Sequence, residues 1–184
     1  VSTTVKEALK FNPDIVGITA VTPTFGNAIM IAKALKKANP DVTIAMGGPH
    51  ITPTGALILQ NHKCVDICVK HEGEYAFLEL TQKKPLKDIL GIFYRNDAGT
   101  VITNPDRPLL ENLDELPFPA RHLIDLSKYH HVLYSSYGEP LTEMTTSRGC
   151  PYKCTYCASP FHWDRKTTRL RSPESVIEEM KVLK

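Results

Sequence analysis

No stretch of this chain approaches the roughly 18 consecutive apolar residues that a membrane-spanning helix requires, and its start, Val1 to Glu7, lacks the apolar core of a secretory signal. Charge of one sign is scarce as well. The 22 Lys and Arg against 20 Asp and Glu leave a net +2, too little for a general attraction to nucleic acid or an anionic membrane surface. Low-complexity segments are missing. So is the even, scattered cysteine framework of a small secreted domain, because the 5 cysteines are an odd number and three of them crowd into Cys150–Cys157. These absences point to a cytosolic chain whose cysteine cluster holds metal, with no membrane span and no nucleic-acid partner.

What is present is an ordinary globular composition, 42% hydrophobic and 23% charged over 184 residues, enough for one domain or one and a half. The charge is unevenly placed. Residues 1–142 carry 14 basic and 15 acidic groups, whereas residues 143–184 carry 8 and 5.

Apolar periodicity predicts an α/β layer with a parallel sheet. Residues 3–11 read as a short helix that Asn12-Pro13 ends. Ile15–Val21 is a nearly continuous apolar run of the kind buried inside parallel sheets. A helix capped by Thr24 follows, with Ala28, Ile31, Ala32, Leu35 and Ala38 on one stripe. The unit then repeats. Val42–Met46 is a strand, Gly47-Gly48-Pro49-His50 a turn, and the next helix is expected to be capped by Thr52 and opened by Pro53. Residues 65–69 form a third strand, and Gly73-Glu74 leads into a helix presenting Ala76, Phe77 and Leu80. Right-handed crossovers put helices on both faces of such a sheet, and ligands bind beyond the carboxyl ends of its strands.

Near residue 85 the alternation stops, and Ile92–Arg95 with Val101-Ile102 reads as a β-hairpin appended to the layer. The prolines at 105, 108, 117 and 119 mark a stiff connection. The expected organisation is therefore an N-terminally incomplete domain over 1–104 with the hairpin at 91–104, a linker over 105–140, and the C-terminally incomplete start of a second domain over 141–184. In that last part Leu141–Ser147 reads as a strand, and Ser172-Pro173 starts a helix with Val176, Ile177, Met180 and Leu183 inward.

The most informative stretch is Arg148-Gly149-Cys150-Pro151-Tyr152-Lys153-Cys154-Thr155-Tyr156-Cys157. Its C-x3-C-x2-C spacing lets three thiolates each hold one iron of a four-iron cluster, with the fourth iron open to another ligand. A Cys3His zinc site completed by His162 is the competing reading. Cys64 and Cys68, in or beside an apolar strand, read as buried small hydrophobes. Arg148, Lys153, Arg165, Lys166, Arg169 and Arg171 surround the loop with positive charge, as a solvated face or a surface for an acidic redox partner.

The loop, with Tyr156 directly before its third cysteine, resembles the signature of the radical S-adenosylmethionine (SAM) superfamily. That resemblance implies that Cys150, Cys154 and Cys157 ligate a [4Fe-4S] cluster, that Tyr156 lies near the adenine of SAM, and that strand, loop and helix open a partial (β/α) barrel. Ahead of it, Asp14–Val21, Met46-Gly47-Gly48-Pro49-His50, Glu72-Gly73-Glu74 and the linker Leu113–Ala120 look like the cobalamin-binding subgroup. By that resemblance Thr19, Gly47 and Gly48 face cobalamin, the two glycines letting the backbone approach its nucleotide tail. The fold class implied is a Rossmann-like cobalamin-binding layer, a small hairpin, and the first unit of a radical SAM barrel.

The Asp-x-His-x-x-Gly lower-ligand motif of other cobalamin domains is absent from the sequence. His50 reads as loop structure and His71 stays undecided, while Met46, Phe77 and His130-His131 read as packing or surface. The function implied is reductive cleavage of SAM to a 5'-deoxyadenosyl radical, for methyl transfer to an unactivated centre or, alternatively, for radical cyclisation or rearrangement. A zinc-stabilised binding module and an inert cofactor-binding fragment are the readings from other classes. The implied partners are a small-molecule substrate and a flavodoxin- or ferredoxin-type electron donor. At about 30 residues per β/α unit a six-unit barrel needs roughly 180 residues, yet 184 minus 157 leaves 27 after Cys157. The expectation is a fragment of a longer enzyme.

Overall fold

The computed structural model describes residues 1–126, 142–152, 154–157, 159 and 168–183. The chain divides into two compact units, Val1–Leu109 and Leu110–Lys184.

In the first unit a short helix α1 (Ser2–Leu9) precedes β1 (Ile15–Thr19), α2 (Phe25–Ala38), β2 (Thr43–Gly47), α3 (Ile51–Asn61), β3 (Ile67–Val69), α4 (Glu74–Thr81), β4 (Ile92–Arg95) and β5 (Val101–Thr103). The sheet runs β1-β2-β3-β4-β5, parallel across the first three strands and antiparallel thereafter. Strand alternation sorts the side chains into two cores. Ile44, Met46, Cys68 and Phe93 meet the buried residues of α1, α2 and α3, while Ala45, Ile67, Val69 and Ile92 meet Ala76 and Leu80 of α4. Helices therefore cover both faces.

Several expectations need correction. Instead of forming an appendage, the hairpin extends the sheet, because β4 pairs antiparallel with β3, Cys68 opposite Phe93. Its far end is tied down by Lys70, a buried amine that donates to the Asn104 carbonyl at 2.9 Å, pairs with Asp106 and lies 5.0 Å from the Phe93 ring centroid. The apolar run of β1 lies at the sheet edge, with Gly17 and Thr19 exposed. No strand flanks its outer side among the described residues.

The helix caps also differ. Thr24 stands at the N-cap of α2 as expected, but its hydroxyl turns back to the Val21 carbonyl at 3.1 Å, within the 3-10 turn over Thr22–Thr24, instead of capping the helix. Thr52 is inside α3, where its hydroxyl accepts the His71 amide at 3.0 Å. Pro53 is thus the third residue of α3. It is tolerated there because the first four helical amides need no intrahelical acceptor.

In the second unit β6 (Ser147–Arg148) pairs antiparallel with β7 (Arg169–Leu170), and α5 (Pro173–Leu183) follows. The expected strand over Leu141–Ser147 contracts to β6, and Leu141 lies outside the described residues. Helix α5 begins where expected, with the Ser172 hydroxyl accepting the Ser175 amide at 3.1 Å and the Asp114 carboxylate accepting the Ser172 amide at 3.1 Å. Its faces do not match the expected pattern. Ile177 and Met180 are 50% and 56% exposed, whereas Glu179 is 1% exposed. Glu179 is buried between two arginines, so an ion network lies on a face of the helix next to the expected apolar stripe.

Candidate functional site

At the carboxyl ends of β1 and β2 the chain folds back on itself. The Ala20 amide donates to the Gly47 carbonyl at 3.0 Å, and the His50 amide donates to the Ala20 carbonyl at 3.2 Å. Gly48 makes this crossing possible. Its φ is +102°, and a Cβ there would lie 2.7 Å from Thr19 Oγ1, 2.8 Å from the Ala20 oxygen and 3.1 Å from the Ala20 nitrogen. Only glycine takes such a backbone without strain. Gly47 differs, since its Cβ would meet nothing closer than Val69 at 3.9 Å. Thr19 and the two glycines are therefore brought to one edge, where Thr19 is exposed and both glycines are half-buried.

His50 belongs to the loop, as its sequence context suggests. Its Nδ1 is 3.1 Å from the Thr22 hydroxyl, and its ring lies 4.3 Å from that of Phe25. His71 is half-buried with φ +53°, held through its amide by Thr52. Phe77 packs its ring edge against Gly17, where a Cβ would come within 3.0 Å. Met46 is fully buried core, and His130-His131 lie outside the described residues.

A groove of about 700 Å³ opens at the opposite, amino-terminal end of the parallel strands, lined by Asp14, Lys36, Asp66, Lys84 and Arg95. Its charges are largely satisfied internally. Lys36 pairs with Asp66 at 2.9 Å, Lys84 with Glu79 at 2.7 Å, and Arg95 donates to the carbonyls of Leu59 and Val65.

In the second unit the cysteine loop leaves β6 through Gly149, whose φ is +98°, and returns at β7. The two-residue β6·β7 ladder closes its base, a feature the sequence pattern did not predict. Cys150 and Cys157 are half-buried, Cys154 is exposed, and all three thiols are free. The Cys157 amide donates to the Cys154 carbonyl at 3.2 Å, so these two flank a tight turn. Tyr156 in that turn is 91% exposed. Among the described residues no three His, Cys, Asp or Glu side chains converge closely enough to hold a metal ion. His162, the zinc candidate, lies outside them. As a donor set, three thiols on one loop suit soft metal and iron-sulfur chemistry.

The basic surround is less available than its composition implies. Arg169 donates to the Leu110 carbonyl at 2.6 Å and Arg171 pairs with Glu179, so both work inside the unit. Lys153, Arg165 and Lys166 lie outside the described residues. Cys64 and Cys68 are packing residues as expected, and burial pushes the Cys68 thiol up to about 12. No helix among the described residues is long and apolar enough to cross a membrane.

The chain thus combines a parallel α/β layer open at its carboxyl edge with a following loop that bears three free thiols. The B12 binding domain family matches residues 1–81, and the Radical SAM superfamily matches residues 144–184. The chain belongs to the cobalamin-binding radical SAM superfamily. It is 41% identical over 178 residues to an uncharacterized methyltransferase of Pyrococcus horikoshii, covering 95% of this chain and 37% of that protein. It is 32% identical to the anaerobic magnesium-protoporphyrin IX monomethyl ester cyclase of Rubrivivax gelatinosus, covering 93% of this chain and 31% of that protein.

Among solved structures, the cobalamin-dependent S-adenosylmethionine radical enzyme OxsB, with aqua-cobalamin and S-adenosylmethionine bound, shares the fold at a TM-score of 0.74 and 23% identity, over 98% of this chain and 24% of that chain. The methyltransferase TsrM of Kitasatospora setae, with cobalamin and a [4Fe-4S] cluster bound, shares it at 0.69 and 19%, over 98% of this chain and 37% of that chain. The chain thus spans about a third of the length of these curated relatives.

Proposed function

We propose that this chain is the cobalamin-binding layer and the opening unit of the radical SAM domain of an enzyme that reductively cleaves S-adenosylmethionine at a [4Fe-4S] cluster, for methyl transfer to an unactivated centre of a small molecule. The observation that carries this reading is the order on one chain: a B12-binding match over 1–81, then a radical SAM match over 144–184 whose three loop cysteines are free thiols. When bound, the cluster supplies the electron that breaks a sulfonium bond of S-adenosylmethionine to release a 5'-deoxyadenosyl radical, while cobalamin carries the methyl group.

The chain's own residues hold and orient these groups. Cys150, Cys154 and Cys157 would hold the cluster through their thiolates, and three such ligands would leave one iron open to S-adenosylmethionine. Tyr156 offers an exposed ring for the adenine to stack on. Thr19 offers a hydroxyl at the carboxyl edge of β1, Gly47 leaves open space beside it, and Gly48 keeps the loop close enough to preserve that space. An acidic flavodoxin- or ferredoxin-type donor fits the basic excess of residues 143–184, and the cytoplasm fits the free thiols. Methyl transfer takes precedence because the Pyrococcus horikoshii methyltransferase matches at 41%, against 32% for the cyclase. Radical cyclisation is the second reading, favoured by that cyclase match.

Anaerobic reconstitution tests the proposal. About four irons per chain with thiolate-to-iron absorption is the expected result, and stoichiometric zinc without iron would overturn it. Cys154→Ala should lose the iron yet retain hydroxocobalamin through gel filtration. Release of 5'-deoxyadenosine on adding reductant and S-adenosylmethionine to the complete enzyme is the corresponding activity readout.

A further inference from the structure

Glu179 is the most deeply buried acidic side chain among the described residues, 1% exposed, on a helix that leaves Ile177 and Met180 half in solvent. A carboxylate is costly to bury unless its charge is matched. Two guanidiniums match it. Arg121 Nη1 lies 2.6 Å from one carboxylate oxygen, and Arg171 donates to the other.

Both arginines reach beyond Glu179 to the same short segment. Arg121 Nη2 donates to the Glu143 carbonyl at 3.0 Å, and Arg171 Nη1 donates to the Thr145 carbonyl at 3.0 Å. The Arg171 backbone amide adds a bond to the Thr146 carbonyl at 2.9 Å. Arg171 is itself braced by Ser175 and by the Phe118 ring, 5.4 Å away. Together the two guanidiniums hold the segment at two of its carbonyls, Glu143 and Thr145.

Residues 143, 145 and 146 are exposed, and the ladder that follows is only two residues long. The start of α5 has its own support in Asp114 and Ser172, so the Glu179 network is not needed to begin the helix. Directly beyond the segment come β6, Gly149 and Cys150.

We propose that Glu179 is a positioning residue for the cysteine loop: by locking Arg121 and Arg171 onto the Glu143 and Thr145 carbonyls, it fixes where Cys150 stands relative to Cys154 and Cys157. The role as cluster support rests on the iron-sulfur reading above, while the positioning of Cys150 does not.

The test therefore has two readouts on Glu179→Ala, Glu179→Gln and a control, Ile177→Ala, on the exposed face of the same helix. In the metal-free chain, iodoacetamide labelling at Cys150 should accelerate at least threefold in Glu179→Ala and less in Glu179→Gln, while Cys154 and the control stay unchanged. After anaerobic reconstitution, the Glu179 variants should retain less iron on desalting, and their reduced cluster should give a broadened or displaced electron paramagnetic resonance signal. Should Glu179→Ala fail to fold by circular dichroism, Glu179→Gln carries both readouts. Unchanged Cys150 labelling overturns the inference. Failure of the unaltered chain to take up iron overturns the cluster reading and leaves the labelling result to decide the positioning.

Discussion

Replacing Gly48 by alanine should destabilise the first unit, whereas the same change one residue earlier should not. At Gly48 the new Cβ must enter a backbone with φ +102° and come within 2.7 Å of Thr19 Oγ1 and 2.8 Å of the Ala20 oxygen. The left-handed backbone costs an L-residue about 1–2 kcal/mol. Forcing a methyl into occupied space adds about 1–3 kcal/mol, and the Thr19 hydroxyl can yield but the Ala20 backbone cannot. Against this, alanine restricts the unfolded chain and returns about 0.4–1 kcal/mol. The net expectation is a loss of about 2–4 kcal/mol, a large fraction of the 5–15 kcal/mol typical of a folded domain. With a urea slope of about 2 kcal/mol/M, the middle of the usual range, the midpoint followed by far-ultraviolet circular dichroism should fall by roughly 1–2 M.

At Gly47 the nearest atoms would be Val69 at 3.9 Å, an ordinary contact, and the stability should stay within about 0.5 kcal/mol of the parent. Gly47→Ala should instead weaken retention of hydroxocobalamin, because the space it fills is the space proposed for the cofactor. A Gly48→Ala chain as stable as the parent would refute the packing argument. A Gly47→Ala chain that binds hydroxocobalamin normally would remove Gly47 from the site.

Two helical glycines make a second contrasting pair. Gly55→Ala should destabilise by about 1–3 kcal/mol despite its helix position, since its Cβ would come 2.5 Å from the Phe93 ring and 3.0 Å from Cys68 Cβ; Gly26→Ala meets nothing within 4 Å and should gain about 0.4–1 kcal/mol, both read from urea midpoints. Cys68 should resist alkylation at pH 8, being fully buried with its thiol pushed up to about 12, while Cys154 reacts readily; peptide mass spectrometry decides it, and fast labelling of Cys68 would contradict the packing. Burial pushes the Glu179 carboxyl up, but the hydrogen bonds from Arg171 and Arg121 outweigh it and hold the group below its ordinary 4.5. The folded state therefore stays ionised to lower pH than the unfolded chain. This contribution is fully present above about pH 4.5 and is lost as pH falls through the lowered value. Glu179→Gln should show a shallower acid loss of stability than the parent, and equal slopes would argue against it.

How much of this was legible in the sequence depends on what each residue's neighbours are. The parallel strands and their helices show in local apolar periodicity, so β2, α2 and α4 fall close to where the pattern puts them. Local pattern says nothing about what flanks an apolar run, which is why the hairpin reads as an appendage yet pairs with β3. Thr24 takes the N-cap position its sequence predicts, but its hydroxyl bonds the Val21 carbonyl, while the Thr52 hydroxyl, inside α3, accepts the His71 amide; neither partner is visible in local pattern.

At the candidate site the cysteine spacing is itself a local signal, so Cys150, Cys154 and Cys157 stand out as a candidate donor set from the sequence alone. The loop's support does not. A glutamate beside the stripe of Val176, Ile177, Met180 and Leu183 reads as a solvated face, because nothing near it in sequence reveals that Arg121 will arrive from the linker. A charge is cheap to predict as exposed and costly to bury, so the burial of Glu179 needs every one of its partners in place at once. The C-x3-C-x2-C spacing says which atoms could hold a cluster, and the distant Arg121–Glu179–Arg171 contacts say what brings the segment before the first of those atoms into position.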